Sequence, residues 1–374
     1  LANIIVLGAG MVGSAMAKDL SRSYSVTSVD YNKQNLDKLN SFGIKTIQAD
    51  LKNSETVKKL VESYDLVLNA VPGFMGFKTV ESVIEAGKNI VDISFFPEDC
   101  FLLDEKAKAN NVNAIVDFGV APGIPNLLVG YHNRKMQVEN YKCYVGGLPK
   151  ERTLPFQYKA PFSPVDVIEE YTRPARYVED NKIVIKDAMT DSEYLHFDGI
   201  GTLEAFNTDG LRSLLFTNDI PNKIEKTLRY PGHIDLMKSL VRAGFLSENE
   251  IEFNNMKISP RDFSSAILFD KWKLQEQEDE FTVMRIIFEG IEEGLKTQYV
   301  YNLHDKYNPE TKISSMARTT GYSGTAAVNL LIKGIYSNVG INPPEYVGNN
   351  DKAVDFVFEY LKERGVIYRV EKIQ

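Results

Sequence analysis

The stretch Asn3-Ile4-Ile5-Val6-Leu7-Gly8-Ala9-Gly10-Met11-Val12-Gly13 decides the fold of this chain. Its opening run is apolar on both faces, as a strand covered on each side by helices should be. The three glycines that follow stand in G-x-G-x-x-G spacing. The first permits a tight turn, the second lets a pyrophosphate approach the backbone, and the third lets the next helix pack closely on the strand. That helix is expected from Met11 to Leu20, with Val12, Ala15, Met16 and Leu20 at helical spacing. Its N-terminus would then face the phosphates. A second strand, Val26 to Asp30, ends in an acid twenty residues beyond Gly10, where a ribose-binding carboxylate should fall.

The alternation continues outward from this unit. Strands are expected at Lys45 to Gln48, Leu66 to Asn69, Ile90 to Ile93 and Ala114 to Phe118, with helical segments such as Thr56 to Val61 and Cys100 to Ala109 between them. Strands separated by helices imply right-handed crossovers and a parallel sheet. The fold class is therefore α/β, a Rossmann-type doubly wound parallel sheet. Near residue 138 the pattern changes to one-sided alternation (Tyr141 to Val145), then to aromatic-rich segments. Phe281 to Gly290 and Leu295 to His304 read as an antiparallel hairpin turned through Glu292-Glu293-Gly294. Helical patterns return at Thr320 to Tyr336 and Asp351 to Arg364, followed by a strand-like Val366 to Val370. These last elements are expected to rejoin the first domain. The division is 1–137, completed by 317–374, for dinucleotide binding, and 138–316 for an inserted α+β substrate-binding and dimerisation domain.

Composition narrows the functional classes. The chain has 374 residues, 43% hydrophobic and 25% charged, enough for a core without metal or disulfide staples. A formal net charge of -8 disfavours nucleic acid as a partner. Two cysteines give no disulfide framework, and no apolar run reaches the ~18 residues of a membrane span. With no basic, cleavable leader at the N-terminus, the expected location is cytoplasmic. H-E-x-x-H and C-x-x-C are absent, so no metal site is expected, and the absence of Walker A and G-x-S-x-G removes P-loop nucleotide hydrolysis and esterase chemistry.

Asp30 bears on the choice of cofactor. A carboxylate accepts from both ribose hydroxyls but repels a 2′-phosphate by about 1–4 kcal/mol at contact. Tyr31 and Asn32 follow it, with no arginine to receive the phosphate, so NAD is expected. Asp30 could alternatively cap the helix that starts near Asn32. In open α/β sheets ligands lie beyond the carboxyl ends of strands. Gly8, Gly10, Met11, Val12, Gly13, Asp30, Tyr31, Asp50, Asn69, Ala70, Val71, Pro72, Ser94 and Gly119 are accordingly the expected cofactor residues, with Asp92 and Asp117 at strand ends nearby.

Several motifs in the remainder resemble a known family. Gly119-Val120-Ala121-Pro122-Gly123, Gly146-Gly147-Leu148-Pro149, Tyr158-Lys159 and Thr227-Leu228-Arg229-Tyr230-Pro231-Gly232-His233 are similar to those of the saccharopine dehydrogenase superfamily. Within it, the segments Phe162 to Arg176 and Gly201 to Arg212 resemble the L-lysine 6-dehydrogenases. The resemblance implies a homodimeric NAD enzyme that oxidatively deaminates the ε-amine of lysine to allysine, which cyclises to a piperideine carboxylate. Saccharopine reductases carry an acid where this chain has Ala121-Pro122, a departure that weighs against saccharopine. A saccharopine-type reaction at a secondary amine is the alternative, and a non-catalytic NAD-binding regulator a third reading.

Oxidising a carbon that bears an amine needs a base for the ammonium, near-attack placement of the carbon and water to hydrolyse the iminium. Lys159 is expected as base if burial lowers its pKa, with Asp92 and Glu204 as further catalytic candidates. A substrate carboxylate calls for a guanidinium fork: Arg229 first, then Arg173 and Arg176. Asp209, Asn207, Thr208 and Tyr158 complete the expected substrate site, and His233 could share the proton role.

Overall fold

A computed structural model describes residues 1–161, 164–275 and 278–374; Phe162 and Ser163, which open one of the motifs above, lie outside the described residues. The first third folds as the alternation requires. Strands β1 (Asn3–Leu7), β2 (Ser25–Asp30), β3 (Lys45–Gln48), β4 (Leu66–Asn69), β5 (Ile90–Asp92) and β6 (Asn113–Ile115) form a parallel sheet. Gly340–Asn342 adds a seventh strand beside β6, and the order across the sheet is Gly340–Asn342, β6, β5, β4, β1, β2, β3. The chain runs outward in one direction from β1 through β2 and β3, and in the other through β4 onward. Between β1 and β4 lies the switch point where this architecture binds ligands. Ile4, Val6 and Leu68 enter one core cluster, whereas Ile5, Leu7 and Val67 enter another, which is why these strands are apolar on both faces.

The long strand β7 (Gln137–Pro149) begins the second sheet. Across it run Glu193–Phe197, Gly201–Asn207, Asn222–Arg229, β7, Glu280–Glu292, Leu295–Lys306 and Tyr368–Ile373. Glu280–Glu292 and Leu295–Lys306 form the expected hairpin, closed from Glu292 to Leu295 by Glu293 and Gly294. Both turn residues have positive φ, 52° and 83°, as a turn matching the strands' right-handed twist demands.

The C-terminal segment returns to the first sheet in part. The helix Ser315–Ile332 crosses α1 (Met11–Leu20) closely because Gly321 and Gly324 face Met16; a Cβ at either would lie 3.1 Å from that side chain. Asp19 of α1 ties the two together, accepting from Thr325, Tyr360 and Arg364 at 2.6–2.8 Å. The expectation fails at the last strand. Tyr368–Ile373 pairs with Leu295–Lys306 in the second sheet, from Leu303↔Tyr368 to Gln298↔Ile373, and does not rejoin the parallel one. A short strand after a helix can pair with whichever sheet edge it reaches. The outer edge of the hairpin supplied that partner. No helix among the described residues is long and apolar enough to cross a membrane.

Candidate active site

The glycine-rich turn has the geometry its spacing implies. Gly8 has φ +102°, and a Cβ there would stand 2.6 Å from the carbonyl oxygen of Ala70. At Gly13 a Cβ would fall 2.1 Å from the carbonyl oxygen of Gly8. These two glycines are required by the protein itself. Gly10, the N-cap of α1, differs: a Cβ there would meet nothing within 4 Å. The space beside it is open toward the cavity, as a backbone that a pyrophosphate must approach should be. The carboxylate of Asp30 is anchored at the same place, accepting from the amides of Ala9 (2.7 Å) and Asn32 (2.8 Å). Each oxygen has further acceptor capacity for a ribose hydroxyl. Asn32, not Asp30, caps the following helix, with its side chain accepting from the amide of Gln34 at 2.9 Å.

A cavity of about 880 Å³ runs from this turn into the space between the two sheets. Gly8, Gly10, Met11, Val12, Gly13, Asp30, Tyr31, Asp50, Ala70, Val71, Pro72, Ser94 and Gly119 all line it, as do Thr208, Asp209, Arg173 and Arg229. The residues present therefore fit a dinucleotide, with the glycine turn and α1 at its phosphates. Lys52 also lines the cavity near Asp50, a cation that the reading of Tyr31 and Asn32 alone did not anticipate.

Eight expected site residues do not line the cavity, Arg176 and His233 among them. Asn69 and Asp92 sit behind the wall: Asp92 is fully buried and accepts from the Asn69 amide and the Ser94 hydroxyl, both at 2.7 Å. Burial raises its pKa to about 7. Its observed contacts position Ser94, not a substrate. Lys159 is directed to the backbone of Lys273 and to Glu278, each at 3.4 Å, so it is not at the cavity. Glu204 accepts from the amide of Gly232 at 3.4 Å, and Asn207 donates to Thr190 and Asp191. Tyr158 lies behind Arg229, accepting from it at 3.4 Å. Residue type alone could not say which side of each element faces inward.

The arginines are already engaged. Arg229 is 2% exposed; it donates to Glu170 at 2.5 Å, to Tyr171 at 3.3 Å and to the Leu228 carbonyl at 3.0 Å. Tyr171 in turn bonds His233 Nε2 at 2.9 Å, while His233 Nδ1 meets the Phe156 carbonyl at 2.8 Å. Burial, reinforced by Arg229, lowers the His233 pKa to about 3. His233 is thus a neutral positioning residue: Nδ1–H donates to the carbonyl and Nε2 accepts from the tyrosine. Arg173 pairs with Glu169 at 3.2 Å, and Glu169 also meets Arg261. Arg176 grips Asp209 through Nε (2.9 Å) and Nη2 (2.8 Å).

Two features escaped the sequence reading. Asp117, weighed there only as a strand-end acid, forms a buried bidentate pair with Arg212 at 3.0 and 3.2 Å. Glu225 lines the cavity, is 4% exposed, and leaves Oε2 with no hydrogen-bond partner. Its signal was strand alternation: Glu225, Thr227 and Arg229 occupy one face of Asn222–Arg229, and all three line the cavity. Among the described residues no group of three or more His, Cys, Asp or Glu could hold a metal ion.

A parallel sheet with this turn, opening into a cavity shared with a second, mixed sheet, is the arrangement of a dinucleotide-binding fold. The chain belongs to the saccharopine dehydrogenase family: the saccharopine dehydrogenase NADP binding domain matches residues 4–115 and the saccharopine dehydrogenase C-terminal domain residues 119–366. It is 23% identical to a saccharopine dehydrogenase [NADP(+), L-glutamate-forming] of Saccharomyces cerevisiae over 99% of both chains. It is 22% identical to the carboxyaminopropylagmatine dehydrogenase of Synechocystis sp. over 91% of this chain and 92% of that one. Its match to the alpha-aminoadipic semialdehyde synthase of Arabidopsis thaliana, at 26% identity, takes in 54% of this chain and only 20% of that protein's length. The structure of apo saccharopine dehydrogenase (L-Glu forming) from Saccharomyces cerevisiae superposes with a TM-score of 0.81 at 21% identity, covering both chains fully, and so shares the fold.

Proposed function

We propose that this protein is an NAD(P)-dependent dehydrogenase acting on the C–N bond of an amino-acid-derived amine, with a saccharopine-type secondary amine as the leading substrate class. The observation that carries this reading is the continuity of the cavity: the cofactor cradle at Gly10 and the ionisable wall of Glu225, Asp209, Glu170 and Arg229 line one space. The named relatives, saccharopine dehydrogenases among them, support the secondary amine over the primary amine expected from the sequence.

The bound nicotinamide would accept a hydride from the carbon beside the nitrogen. The chain's own residues have the remaining tasks. Gly8, Gly10 and Gly13 with the N-terminus of α1 would hold the pyrophosphate, and Asp30 would hold the adenosine ribose. Paired carboxylates and arginines in the wall orient the charged ends of the substrate, which brings the reacting carbon into near-attack geometry. Asp30 supports NAD through repulsion of a 2′-phosphate, whereas Lys52 offers such a phosphate an opposing attraction.

One observation favours lysine as a second reading. Asp117, Glu169, Glu170 and Asp209 in the cavity wall are each paired with an arginine, whereas Glu225 has no ion pair among the described residues. A carboxyl left without a cation suits a substrate that brings an ammonium of its own. The test supplies purified protein with NAD or NADP and either saccharopine or L-lysine, following formation of reduced cofactor. Turnover of saccharopine is expected; turnover of lysine alone would install the second reading, and no turnover with any amine would overturn both.

A further inference from the structure

We infer that Glu225 is a specificity residue that receives a cationic group of the substrate other than its α-ammonium, a side-chain amine or guanidinium. The inference deepens the proposed dehydrogenase reading by naming a chemical feature of its substrate. Four carboxylates of the wall are already answered: Asp117 by Arg212, Asp209 by Arg176, Glu170 by Arg229 and Glu169 by Arg173 and Arg261. Among the described residues Glu225 has neither a salt bridge nor a hydrogen bond to Oε2, although it is almost wholly buried. Leaving a buried acceptor unmade is costly, so such groups in a cavity call for a partner from outside the chain.

The position is built to hold this carboxyl. A Cβ at Gly210 would stand 2.2 Å from Glu225 Oε1, so the glycine makes the room the carboxyl occupies. Glu225 lies opposite Cys143 in the β7 register, and Thr227 opposite Val145; Thr227 and Val145 both line the cavity. The groups around it are Asp209, Asp117 and Glu170 on the acidic side and Arg212 on the basic, with Tyr141, Cys143 and Tyr177 neutral nearby. Burial, with Asp209 and Asp117 adding to it, raises the Glu225 pKa to about 8. Without a cation beside it, the Glu225 carboxyl therefore holds a proton at neutral pH. An arriving cation favours the carboxylate and displaces it.

Two measurements on the NAD-saturated full chain test this. Calorimetry compares L-lysine, agmatine and n-butylammonium with L-norleucine and glutarate, in buffers of different ionisation enthalpy. The wild type should bind at least one cationic probe more tightly than norleucine and release close to one proton at about pH 7. E225Q, of nearly equal shape, should weaken that probe about tenfold or more, leave norleucine within about twofold and abolish proton release. Tighter binding of glutarate than of every cation would overturn the inference, as would E225Q that weakens lysine and norleucine equally. Failure of all three cations to bind below about 10 mM would do the same. The outcomes stay separable from turnover: cation binding with no oxidation of saccharopine or L-lysine would sink the dehydrogenase reading alone, and oxidation unaffected by E225Q would sink this inference alone.

Discussion

Gly10→Ala and Gly13→Ala form a matched pair whose contrasting effects follow from the geometry of the turn. At Gly13 the new methyl would lie 2.1 Å from the Gly8 carbonyl oxygen and 2.9 Å from its carbon, both backbone atoms that cannot rotate away. Overpacking of this kind costs about 1–3 kcal/mol or more. In a chain of 374 residues each kcal/mol lowers Tm by about 1.3 °C, so a fall of about 1–4 °C is expected. At Gly10 the backbone has φ −68°, open to alanine, and the methyl meets no protein atom. The loss there is confined to the N-cap preference, about 0.5–1 kcal/mol, with little change in Tm. Its methyl instead occupies the space a pyrophosphate needs. Dinucleotide affinity should drop by tenfold or more, equivalent to about 1.4 kcal/mol. Thermal unfolding and NADH fluorescence titration of both variants read the two effects separately. Gly10→Ala that binds NADH within twofold of wild type would refute the placement of the phosphates, whatever its stability.

Further expectations follow from the same coordinates. Asp30→Ser removes the carboxylate that repels a 2′-phosphate while leaving Lys52 in place, so the ratio of KM for NADP to KM for NAD should fall about tenfold; an unchanged ratio would show that Asp30 serves only to anchor the Ala9 amide. Lys159→Met should leave kcat within about twofold, since its ammonium meets Lys273 and Glu278 outside the cavity; a loss of a hundredfold or more would reinstate it as the base. Asp92 gives a pH dependence. Its folded pKa, about 7, lies above the ordinary carboxyl value of 3.8, so between those limits the folded state retains a proton the unfolded chain has lost. Stability from this group is therefore full below about pH 4 and falls as pH rises to about 7, by a few kcal/mol. Asp92→Asn should gain stability relative to wild type as pH rises from about 4 to 7, and a difference between the two that does not vary with pH in urea titrations would contradict the assignment.

The parallel sheet could be read directly from the chain because its signals are local. A two-faced apolar run, three spaced glycines and a strand-end acid each act within a few residues of themselves, and all the residues expected at the cofactor except Asn69 line the cavity. The substrate wall was harder because its residues come from β7, the helix Pro164–Thr172 and the strand Asn222–Arg229, and their inward faces are set by tertiary packing. Lys159, Glu204 and Asp92 have suitable chemistry yet face other partners. Glu225 was legible in principle, since strand alternation back from Arg229 reaches Thr227 and then Glu225. It was passed over because a lone acid between Ile224 and Lys226 looks like an ordinary surface residue. The final strand was assigned to the wrong sheet for a different reason: nothing in Tyr368–Ile373 itself names the edge it will meet.

The most direct test is a crystal structure of the full chain with NAD and a nonreacting secondary-amine analogue of saccharopine. The account predicts the pyrophosphate against Gly10 at the start of α1, with the amine in the same cavity beside the nicotinamide. A dinucleotide bound elsewhere, or an amine held outside the space lined by Glu225, Asp209 and Arg229, would contradict it.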